Sequence, residues 1–65
     1  MTTRTFRLEL TCDNSAFDEI GPGAEIARIL RTVASELELE APEGECRDYN
    51  GNTVGFYRLN RRVVR

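Results

Sequence analysis

Residues 4–11, RTFRLELT, alternate strictly. Phe6, Leu8 and Leu10 point one way, with Cys12 continuing that face, and Thr5, Arg7, Glu9 and Thr11 point the other. A period of two predicts a half-buried strand. The pattern then loosens. CDNSAFDEIGP, residues 12–22, predicts a long connection in which Asp13, Asn14 and Ser15 bond their own backbone in an Asx or ST turn and Phe17 and Ile20 tuck against the core edge. From 24 to 38 the period changes to that of a helix. Ile26, Ile29, Leu30, Val33 and Leu37 form the apolar stripe, and Glu25, Arg28, Arg31, Thr32 and Glu36 fall largely on the wet side. Pro22 suits a first helical position, and Pro42 with Gly44 ends the element, giving a helix over about 23–38.

The last third, RDYNGNTVGFYRL, predicts a hairpin with strands at 45–49 and 52–59, because Asn-Gly between β-like runs is a strong turn signal. Two registers remain open. A two-residue turn at Asn50-Gly51 pairs Tyr49 with Asn52. A three-residue loop with Gly51 left-handed pairs Asp48 with Asn52 and puts Cys46, Val54 and Phe56 on the inner face. A bulge at Gly55 would instead bring Tyr57 and Leu59 inward. The predicted fold is α+β. It runs β-α-β-β, with a three-stranded antiparallel sheet in order 1-3-2, one helix packed on one face, the other face open, and a basic tail at 60–65. Sixty-five residues make one small domain of marginal stability, for which a homodimer would help. No apolar run suits a signal peptide or a membrane span, so the expected location is the cytoplasm and no membrane partner is expected.

Charge is uneven along the chain. Net charge is −2, yet residues 13–45 hold nine acids and two Arg, whereas 46–65 hold five Arg and one Asp. All nine cations are Arg, which favours bidentate contacts with carboxylate or phosphate, although a GC-rich genome would give the same usage. His and Lys are absent, which removes imidazole acid–base chemistry, His-ligated metal sites, Schiff bases and the Walker phosphate loop. Gly21-Pro22-Gly23 opens a helix, but Asp18, Glu19 and Glu25 surround it with negative charge, which favours a plain helix start over an anion site. Cys12 and Cys46 lack metal-ligand spacing, and the topology is expected to put them at opposite ends of the sheet as buried free thiols. No enzyme activity, metal or cofactor is therefore expected.

Two surfaces remain. Glu36, Glu38, Glu40, Glu43 and Glu45 crowd the end of the helix and the following loop, where the helix dipole favours cations. They form a candidate acidic patch for a basic protein partner, or simply a solvated helix end. Arg47, Arg58, Arg61 and Arg62, interleaved with Tyr49, Phe56 and Tyr57, form an alternative basic face for single-stranded nucleic acid. The net acidic charge makes nucleic acid the weaker reading.

LTCDNSAF, EIARILRTVASELE and the spacing G-x-x-RD-x-NGN-x-VG together resemble a group of small uncharacterised proteins encoded by bacteriophages and prophages, over residues 8–59. The resemblance implies a phage accessory role and assigns no site residues. Small phage proteins include inhibitors of host defence, anti-CRISPR proteins among them, which work by binding. A protein partner, such as a host defence complex, is the expectation that follows.

Overall fold

A computed structural model of the chain describes residues 2–63, with side chains over 3–60. Five elements follow one another: β1 (Thr2–Leu10), α1 (Ser15–Ile20), α2 (Pro22–Glu38), β2 (Glu43–Arg47) and β3 (Thr53–Val63). The sheet is antiparallel in order β1-β3-β2, with the most apolar strand in the middle as its pattern predicts. The α+β class, the strand order and the single long helix on one face therefore stand.

Three boundaries differ from the sequence expectation. The connection after β1 contains the short helix α1, whose Ala16 and Phe17 are fully buried. β2 is shifted two residues toward the N-terminus, to Glu43–Arg47, because Asp48 and Tyr49 belong to the loop. β3 runs through most of the expected basic tail, pairing Asn60 with Thr5, Arg61 with Arg4 and Arg62 with Thr3. Residues 64 and 65 of that tail lie outside the described residues.

The core is Phe17, Ile29, Val33, Cys46, Val54 and Tyr57, with Leu8, Leu10, Cys12, Ile26 and Leu37 packed against it. Past β2 the two long strands continue alone as a ribbon. This gives the molecule a radius of gyration of 13.7 Å, where a compact chain of this length has roughly 11 Å. Phe6, 45% exposed, and Leu59 sit opposite each other where that ribbon begins, and the Phe6 ring lies 6.1 Å from that of Tyr57.

The hairpin adopts the three-residue loop. Asp48 N–H donates to the Asn52 carbonyl at 2.9 Å, and Gly51 takes φ 86°, a left-handed conformation that glycine adopts without steric cost. Pairing then slips, with Arg47 opposite Thr53 but Cys46 opposite Gly55, so Val54 is the extra residue of a bulge. Cys46 and Val54 face the helix as expected. Beyond the bulge the alternation inverts, so Tyr57 at 1% exposure faces inward and Phe56 at 62% faces outward. The expectation of an inward Phe56 is thus corrected.

Gly55 lies where β1 and β3 approach too closely for a side chain, since a Cβ there would collide with the Glu9 carbonyl. Gly44 opposite Tyr57 leaves room for the ring, whose hydroxyl donates to the Ala41 carbonyl at 3.1 Å. β1 and β2 run parallel, and both end near the bulge. Cys12 and Cys46 therefore share one end of the sheet, contrary to expectation, and both are free thiols.

Gly55→Ala should cost about 3 kcal/mol or more in urea unfolding, because the clash is with backbone. Gly23→Ala, with nothing within 4 Å of the added Cβ, should be neutral or stabilise α2 by up to about 1 kcal/mol.

Candidate functional site

Two carboxylates lie inside the molecule. Glu25 falls four and eight residues before Ile29 and Val33, so it continues the buried stripe of α2 and is fully covered, which corrects its assignment to the wet face. Asp48, 3% exposed, opens the hairpin loop. A buried charge is tolerated only when it is paired and hydrogen-bonded, and both carboxylates meet that condition.

Arg28 Nε donates to Glu25 Oε1 at 2.6 Å, and Arg28 Nη2 reaches Glu25 Oε2 at 3.2 Å and the Arg47 carbonyl at 2.9 Å. The Tyr49 N–H donates to Glu25 Oε2 at 2.7 Å. Asp48 Oδ1 accepts the N–H groups of Asn50 at 3.0 Å and Asn52 at 2.9 Å. Its Oδ2 accepts the side-chain amides of Asn14 at 3.0 Å and Asn52 at 3.2 Å. Among the described residues no buried side-chain N or O lacks a partner.

The Arg28 guanidinium, helped by the Tyr49 N–H and opposed by burial, holds Glu25 below its ordinary 4.5, while Glu25 pushes Arg28 up. The Asn14 amide, with the Asn52 and Asn50 donors and against burial, holds Asp48 below 3.8. Both carboxylates are kept ionised and closed to solvent. Their chemistry is to fasten α2 and the start of α1 to the hairpin loop. Residues 12–17 and 47–55 meet at this junction through the Asn14 amide and the Asp48 carboxylate.

The five glutamates of the candidate acidic patch do not form one surface. Glu36 is half-buried near Tyr57, and burial first, then the Glu36 carboxylate, push the Tyr57 hydroxyl and the Cys46 thiol up. Glu38 and Glu40 are exposed at the end of α2. Glu40 closes the helix at φ 62°, where its amide bonds the Leu37 carbonyl. A non-glycine residue there costs about 1–2 kcal/mol. Glu43 and Glu45 stand on the open face of β2, paired with Arg58 at 3.1 Å and Arg47 at 2.9 Å.

The basic face is divided in the same way. Arg47 and Arg58 are each held by an acid, while Arg61 and Arg62 belong by register to the projecting ribbon. The face opposite the helix therefore carries two cross-strand rows, Glu9–Phe56–Glu45 and Arg7–Arg58–Glu43. It is a mixed set of charges, three acids and two Arg, around one large exposed ring, and a shallow concavity runs along it. Its pattern was visible in the alternation of β1, but the bulge hid Phe56.

Comparison of the chain with protein-family models, curated proteins and solved structures returns no match. No helix among the described residues is long and apolar enough to cross a membrane.

Asp48→Asn turns an acceptor into a donor that faces N–H groups, so the thermal midpoint at pH 7 should fall by about 10 °C or more. Both carboxylates sit below their ordinary values, so their stabilisation is complete above about pH 4.5 and is lost as pH falls through the folded-state values. Thermal melts from pH 7 to 2 should show wild-type stability declining below about pH 4.5, and a shallower decline in Asp48→Asn.

Proposed function

We propose that this chain is a non-enzymatic phage accessory protein that binds a protein partner, a host defence complex, through the open face of its sheet. The observation that carries the contact is Phe56. It is 62% exposed on the central strand, with Glu9 and Glu45 opposite it and Arg7, Arg58 and Glu43 in the next row. An aromatic anchor inside a polar rim is the arrangement in which a few residues carry most of a binding energy. The phage setting rests on the sequence resemblance and the binding mode on analogy with small phage inhibitors. The acid–base pairing of Arg47 and Arg58 supports a protein partner over nucleic acid.

A pull-down from infected host lysate tests the reading. Phe56→Ala should fold normally and lose capture of the partner about tenfold or more, whereas Glu38→Arg with Glu40→Arg should retain it. The reverse outcome would move the contact to the acidic helix end. Salt-sensitive binding of single-stranded RNA or DNA that depends on Arg61 and Arg62 would replace the reading with the nucleic-acid one.

A further inference from the structure

β1 is an edge strand of nine residues, paired with β3 in unbroken register and free of proline and glycine. The opposite edge, β2, is only five residues long and is irregular at Cys46/Arg47. Short, bulged edges resist further pairing, whereas a long regular edge invites it. The direction of the free groups on β1 is fixed by its bonds to β3. Thr11 N–H donates to the Val54 carbonyl at 2.7 Å, and the Glu9 carbonyl abuts Gly55. Odd-numbered residues therefore turn to β3, and Arg4, Phe6, Leu8 and Leu10 turn their N–H and C=O groups outward.

The side chains along this edge, TFRLELT at residues 5–11, are symmetric in kind about Leu8. We propose that β1 pairs antiparallel with β1 of a second copy of this chain about a two-fold axis through Leu8, giving one six-stranded sheet. In that register Leu8 meets Leu8 and Phe6 meets Leu10, in pairs that exchange backbone hydrogen bonds. Arg7 meets Glu9 in the intervening pairs, where side chains lie closest, and Thr5 meets Thr11. Centring on Arg7 or on Glu9 instead sets like charges against each other. Neither Arg7 nor Glu9 takes part in an ion pair among the described residues, and Arg7 faces Arg58 across its own sheet.

The apolar surface agrees. Arg28, Thr32 and Glu36 line the groove beside β2, so helical spacing turns Ile26, Leu30 and Leu37 toward the β1 side. There Leu30 is 46% exposed and Phe6 45%. Pairing lays the two copies of Phe6, Leu8 and Leu10 side by side between two helices on one face. Both Phe56 rings then stand on the other face, although the dimer does not depend on their role.

Sedimentation equilibrium of the full chain at high micromolar concentration should give twice the 7.4 kDa of one chain. Arg7→Glu alone and Glu9→Arg alone each create two repulsive pairs per dimer and should weaken association about tenfold or more. Mixing those two variants restores both pairs, so a mixed dimer should form, which also shows that both fold. The double swap should dimerise with itself. A monomeric wild type, a dimer indifferent to either single reversal, or no mixed dimer would each overturn the proposal.

Discussion

The fold depends on holding two ionised carboxylates out of water. Glu25 and Asp48 receive seven hydrogen bonds, three of them from the loop amides of Tyr49, Asn50 and Asn52. Those donors come from the hairpin, from Asn14 before α1 and from Arg28 on α2. No one element can satisfy the carboxylates alone. Removing one side of such an arrangement costs more than the pair contributes, because a buried charge is left uncompensated. In a chain this small the network serves chiefly to specify geometry. A slip of the hairpin by one residue would withdraw the Tyr49 amide from Glu25 and the Asn52 amide from Asp48 together.

That register decides what the sheet shows to solvent. With the loop fixed at Asp48–Asn52, the spare residue falls at Val54, and Gly55 admits the close passage of β1. Tyr57 then turns inward over Gly44, and Phe56 turns outward between Glu9 and Glu45. The surface proposed for binding is thus a consequence of the buried network one turn away. The edge proposed for self-association has a different origin, in the unbroken alternation of β1.

The elements governed by simple periodicity were legible in the sequence. The alternation of Phe6, Leu8 and Leu10, the stripe through Ile29 and Val33 and the Asn50-Gly51 turn led directly to the α+β class and the strand order. Gly55 signalled the bulge, whose spare residue is its neighbour Val54, but the sequence left the bulged and the regular hairpin both open, and so left open whether Phe56 or Tyr57 faces the helix. Glu25 was hidden by its charge, since a glutamate at a stripe position reads as a wet-face residue until Arg28, three positions on, is seen to neutralise it. Asp48 carried a usable signal, an Asx turn onto Asn50, but nothing local told of Asn14. The glutamates from Glu36 to Glu45 are contiguous in sequence yet split by the helix end, the left-handed Glu40 and the pleat of β2.

The most direct test of the network is amide hydrogen exchange followed residue by residue by NMR at pH 6. Tyr49 and Asn52 lie in an exposed loop, so only bonds to the buried carboxylates would slow their exchange. The account predicts that both are protected nearly as well as the core amides of α2. Exchange at the rate of an open loop, with α2 still protected, would contradict it.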